Sequence, residues 1–131
     1  MKRTSAERRP LLDEERDSFG YAFRGLAYAW ATQRHLRIHA GLASLAVLLG
    51  VVLRISPAEW AVLCLTIALV TALELLNTVV ETVVDLLSPG YHPLAKIAKD
   101  VAAGAVLIGA GGGIGVGCFL FLPRLFALLS R

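Results

Sequence analysis

Three stretches of this 131-residue chain contain no Asp, Glu, Lys or Arg: residues 40–53, 60–73 and 101–123. Runs of that kind do not make the surface of a soluble domain. With 56% hydrophobic residues and a mean hydropathy of +0.67, the chain is too apolar for a soluble domain of its size. Cysteine is scarce as well, with two in the chain. Cys64 and Cys118 stand singly inside apolar runs, which excludes a cysteine metal framework and predicts buried thiols without a disulfide. The first apolar run lies far behind a charged segment, so no cleavable signal is expected. No internal repeat is visible.

What is present is membrane-spanning sequence. The third run, 23 uncharged residues, could cross a bilayer unaided, and the other two do so with their mild flanks. The fold class expected is an all-α membrane protein with three transmembrane helices. Positive charge is unevenly spread. Lys2, Arg3, Arg8, Arg9, Arg16, Arg24, Arg34 and Arg37 precede the first span, and Lys96 and Lys99 follow the second; only Arg54, Arg124 and Arg131 lie on the other side. The positive-inside rule then places the N-terminus in the cytoplasm. The same distribution argues against nucleic-acid binding, because the basic residues sit where topology needs them.

Residues 1–17 are polar and of mixed charge and are expected to form a mobile tail ahead of a single membrane-embedded domain, residues 18–131. From Ser18 onward Phe19, Phe23, Leu26 and Trp30 recur at helical spacing with basic flanks. That pattern suits an amphipathic helix in the interface plane and equally a packing helix.

The second span has clear punctuation. In "SPAE", Ser56 is the expected N-cap, Pro57 the first helical residue and Glu59 the partner of a capping box, while "SPGY" at 88–91 should end the helix. About 31 residues at 1.5 Å each give roughly 46 Å, against a hydrocarbon core of roughly 30 Å. Glu74 then falls about 26 Å along, near the inner edge of the hydrocarbon, with Glu81 and Asp85 at headgroup depth or beyond. Glu74, Asn77, Glu81 and Asp85 share an arc of about 80°, opposite Leu75, Val79, Val83 and Leu86. Acids at that depth must face protein or water, because lipid exposure costs about 2.5–3.5 kcal/mol for a central acid. A solvated end of the helix is the competing reading for Asp85.

The next helix should start at Pro93, placing Lys96, Lys99 and Asp100 in its first two turns. Lysines at a helix N-terminus attract phosphate, although they also serve as topology anchors. Acids able to hold Mg²⁺ at one helix end, and lysines able to hold phosphate at the next start, point to phosphoryl transfer. The glycine-rich "GAGGGIGVG" is not a nucleotide loop. It follows no strand, contains no Lys-Ser/Thr, and reads as close helix packing.

The segments "ELLNTVVETVVDLL" and "HPLAKIAKDVAAGAVLI", with the "RHLRIH" lead-in to the first span, resemble the signature of the prokaryotic diacylglycerol kinase family, which includes the undecaprenol kinases. The resemblance runs from about Phe19 into the third span. It implies a homotrimer with three spans per subunit and an N-terminal amphipathic interfacial helix. The implied activity is transfer of the γ-phosphate of MgATP to a lipid hydroxyl. By resemblance Glu74 is the catalytic base and Asn77 an active-site asparagine. Glu81 is a metal-binding glutamate and Lys99 the lysine on the ATP phosphates. Asp85 and Asp100 belong to the nucleotide pocket, with Tyr91 and His92 contacting nucleotide less specifically. One position departs from the family: Gln33 stands where a second metal-binding glutamate is usual. The competing classes are a small multidrug-type transporter, which would need four spans and a glutamate in the first, and a catalytically weakened protein of the same fold. Diacylglycerol and undecaprenol both present a primary hydroxyl at the interface, and the "LRIH" lead-in looks more like the undecaprenol branch.

Overall fold

The computed structural model describes residues 11–130, with side chains from residue 17 onward. It consists of four helices, α1 (Leu11–Thr32), α2 (Arg34–Val52), α3 (Pro57–Leu87) and α4 (Pro93–Leu129), with no strand among the described residues. Residues 1–10 of the expected tail lie outside the described residues. The rest of that tail is helical, because α1 begins at Leu11 rather than near Ser18. Phe19, Phe23, Leu26 and Trp30 are all exposed, and the Arg24 guanidinium lies 4.7 Å from the centre of the Tyr21 ring. The chain divides into two compact units, with α1 in the first and α2, α3 and α4 in the second.

All three helices of the second unit are long and apolar enough to cross a membrane. This is a multi-pass membrane protein. Gln33 adopts extended backbone and breaks the chain between α1 and α2. At the other end of α2 the Ile55 N–H donates to the Gly50 carbonyl (3.1 Å) and the Arg54 N–H to the Val51 carbonyl (3.2 Å), a Schellman closure. Arg54 takes the left-handed conformation there, with φ 51°. Ile55 folds back onto Gly50, where a Cβ would meet the Ile55 Cδ1 at 3.1 Å and the Trp60 ring at 3.0 Å. The α2–α3 connection is therefore tight because Gly50 has no side chain.

The α3 capping box is formed as the sequence predicts. The Glu59 carboxylate accepts from the Ser56 N–H (2.7 Å) and the Ser56 hydroxyl accepts from the Glu59 N–H (3.4 Å). The same Glu59 oxygen accepts from Arg124 Nη2 at 2.8 Å, tying the start of α3 to the end of α4. Beside this tie lies the core of the unit, where Ile55, Leu63, Leu120 and Phe121 pack with Trp60 and Leu53. Pro123 does not end α4, which continues six residues further. The Arg124 side chain donates to the Leu120 carbonyl (2.9 Å) across the turn that Pro123 interrupts.

α3 packs more extensively on α4 than on α2. A Cβ on Gly109 would come within 2.5 Å of Leu73 Cδ1, and one on Gly113 within 3.6 Å of Thr66 Cγ2. Gly111, Gly112 and Gly115 have open space around them. Close helix packing thus explains Gly109 and Gly113 and leaves those three glycines unexplained. The cysteines correct an expectation: both are free, but both are exposed. In a unit of three helices few positions have neighbours on every side, so an apolar run marks a span rather than an interior.

Candidate active site

The polar stripe of α3 faces inward. Glu74 is 3% exposed, Asn77 and Glu81 are half-buried, and Asp85 is exposed, while across the helix Val79, Val83 and Leu86 are exposed and Leu75 is half-buried. This is the reverse of a soluble helix and is the arrangement a lipid environment imposes. Burial falls steadily over the roughly 16 Å from Glu74 to Asp85, so a deep carboxylate is linked to an accessible polar end.

Each group along the stripe has a defined neighbour. The Thr78 hydroxyl donates to the Glu74 backbone carbonyl at 3.0 Å, and the Glu74 carboxylate lies 4.0 Å from His39 Nε2 on α2. Asn77 Nδ2 donates to Glu81 Oε1 at 3.0 Å. That bond leaves Asn77 Oδ1 buried with no partner, an arrangement that costs about 1–3 kcal/mol unless a ligand or another chain satisfies it. Lys99 Nζ donates to Asp85 Oδ1 at 2.8 Å across the α3–α4 turn, and Glu81 lies within electrostatic reach of the same lysine. Lys96 pairs with Asp100 one turn along α4, both groups well exposed. The turn thus gathers Glu81, Asp85 and Lys99 at one end of the stripe.

The nucleotide-side residues separate into two kinds. Asp85 and Lys99 meet. Tyr91 is 84% exposed and stands apart, and His92 is the N-cap of α4, its Nδ1 accepting from the Leu94 N–H at 3.3 Å. Gln33 occupies the N-cap position of α2 but its side chain makes no capping hydrogen bond. Capping therefore does not account for the glutamine. Among the described residues no three His, Cys, Asp or Glu side chains gather into a metal site.

A model of the prokaryotic diacylglycerol kinase family matches residues 20–121, which includes every group just described. The chain belongs to that family. The family is one of prokaryotic lipid kinases. Among its relatives, a diacylglycerol kinase of Synechocystis is 50% identical over 113 residues, 86% of this chain and 65% of the relative. An undecaprenol kinase of Bacillus subtilis is 40% identical over 121 residues, 92% of this chain and 98% of the relative. A diacylglycerol kinase of Escherichia coli is 35% identical over 89 residues, 68% of this chain and 73% of the relative. The chain thus spans less than two thirds of the cyanobacterial relative and nearly all of the Bacillus one. Membership sets aside the transporter reading, which would need four spans where the described residues hold three candidate spans.

Two contacts could not be read from sequence, one at this site and one at the opposite end of α3. His39 is separated from Glu74 by 35 positions and Arg124 from Glu59 by 65, so no local periodicity links them.

Proposed function

We propose that this protein transfers the γ-phosphate of ATP to the primary hydroxyl of a membrane lipid, diacylglycerol or undecaprenol, with Glu74 as general base. The observation that carries the reading is a buried carboxylate at the deep end of a polar stripe whose other end holds Lys99. A lipid hydroxyl approaches from within the bilayer and ATP from the aqueous side, and the stripe joins the two. Glu74 accepts the hydroxyl proton as the oxygen attacks the γ-phosphorus in line. The bond from that phosphorus to the β-bridging oxygen breaks, and its electron pair leaves with ADP. Lys99 offsets the charge on the phosphates, and Asp85 holds the lysine until they arrive. Asp100, Tyr91 and His92 border the nucleotide.

The donor set fits Mg²⁺, although the described residues form no all-protein cage. Mg²⁺ commonly takes one or two carboxylates together with substrate phosphates. Glu81 and the unpartnered Asn77 Oδ1 are hard oxygen donors side by side, and Gln33 would add a neutral amide oxygen. When bound, the ion would neutralise the β- and γ-phosphate oxygens. The weakened-enzyme reading rests on Gln33 alone.

The functional unit is a homotrimer in the inner membrane with the N-terminus in the cytoplasm. The ten-to-three distribution of Lys and Arg supports the orientation. The buried, unpartnered Asn77 oxygen supports a site completed by a ligand or a neighbouring subunit. Purified protein given labelled ATP and both lipids side by side should phosphorylate at least one of them. Crosslinking in detergent should give three copies, and an active monomer would refute the shared site.

A further inference from the structure

Accepting a proton is half of a base's task; before the next turnover Glu74 has to lose it. Its surroundings offer few ways out. On α3 the residues before Glu74, back to Trp60, carry no ionisable group except Cys64, which is exposed. On α4 residues 101–123 carry none except Cys118, also exposed. The nearby hydroxyls are committed to their own helix: Thr78 donates to the Glu74 carbonyl and Thr71 to the Ile67 carbonyl at 2.8 Å. The Asn77 amide is committed to Glu81. On α2, Arg34, His35 and Arg37 are exposed and lie toward its start.

His39 differs from all of these. Its Nε2 lies 4.0 Å from Glu74 Oε2, beyond hydrogen-bond distance by a margin that one small side-chain adjustment closes. Its side chain is 20% exposed where that of Glu74 is 4%, so the imidazole reaches from the buried carboxylate toward an open side. It also borders a cavity of about 240 Å³ between α2, α3 and α4, whose other polar side chains are Thr66 and Thr71. Both of those hydroxyls donate to backbone carbonyls one turn back, Val62 and Ile67. Histidine is therefore the only ionisable group on that wall, and imidazole exchanges protons readily near neutral pH.

We propose that His39 is the positioning and proton-relay residue for Glu74. This rests on the lipid-kinase reading above. As the lipid oxygen bonds to phosphorus, its O–H bond breaks and the proton passes to Glu74. Neutral His39 then takes that proton on Nε2, leaving Glu74 as carboxylate, and the imidazolium releases a proton to water on its open side. The sum is lipid alcohol plus ATP giving lipid phosphate, ADP and one proton, with both side chains restored.

The test uses the full-length protein in detergent or nanodiscs, comparing wild type with His39→Ala, His39→Gln and, as a control, His35→Ala. His39→Ala should lower kcat by at least about tenfold, short of the 10²–10⁴-fold expected for the base itself. KM for ATP should hold, and His35→Ala should behave as wild type. Free imidazole should then raise the kcat of His39→Ala severalfold, because the shortened side chain opens onto the cavity. Pyrazole, a much weaker base of the same shape, should not. His39→Gln, which keeps bulk and polarity, should stay folded by thermal unfolding and stay slow. Retention of kcat by either variant overturns the relay. So does a loss that imidazole fails to restore, since a purely structural histidine would behave that way. An inactive wild type would remove the lipid-kinase reading and the relay together, whereas an active wild type with an indifferent His39 removes the relay alone.

Discussion

Lys99 and Gln33 carry the two sharpest expectations for single residues. Lys99 holds Asp85 at 2.8 Å, and an ammonium so placed is ready to exchange one anion for another when phosphates arrive. Lys99→Ala should raise KM for ATP and lower kcat, whereas KM for the lipid should change little; steady-state titration of each substrate separates the effects. Gln33, proposed to add an amide oxygen to the metal site, stands where the resemblance implies a carboxylate, and a neutral oxygen attracts a divalent cation less strongly. Gln33→Glu should lower the Mg²⁺ concentration for half-maximal activity, and an unchanged Mg²⁺ titration would remove residue 33 from the site. At this scale sequence reading works where residues share a helix. The arc from Glu74 to Asp85 is legible because helical periodicity fixes which side chains share a face. His39 is not legible, since its relation to Glu74 depends on how α2 and α3 are rotated against each other.

Helices α3 and α4 meet where glycine permits it. Gly109 stands against Leu73, the residue before Glu74, so added bulk there should act on the base as well as on packing. Gly109→Val should destabilise the protein by about 1–3 kcal/mol, the usual range for overpacking, and lower kcat in parallel. Gly112→Ala, with open space around the glycine, should leave both near wild type. Thermal unfolding and turnover measured on the same preparations check the pair. Element boundaries divide in the same way. Those of α3 follow from "SPAE" and "SPGY" because caps and breakers are local chemistry, and the capping box is present atom for atom. The start of α1 at Leu11 escapes a reading based on apolar periodicity, because residues 11–17 contain too few apolar positions to show a stripe. Pro123 is accommodated rather than terminal.

The unit formed by α2, α3 and α4 carries a buried carboxylate and an exposed charged turn, and the orientation proposed for it rests on the distribution of lysines and arginines. With Cys64 and Cys118 replaced by alanine, single cysteines at Ser56 and Ser130 should both be labelled by an impermeant reagent from outside the cell. Labelling of either from the cytoplasm would invert the assignment. Three spans were legible from composition because a bilayer demands long apolar runs; the pairing of those spans was not, because lipid and neighbouring helices are equally apolar to a sequence pattern. In the proposed reaction the buried acid at the head of the stripe performs the chemistry. That role is tested most directly by phosphate transfer from labelled ATP to lipid, with wild type and Glu74→Gln compared at matched fold and membrane insertion. Glutamine keeps size and polarity but cannot take up the proton, so transfer should fall by about 10²–10⁴-fold. Near-wild-type transfer by Glu74→Gln would show that the base lies elsewhere.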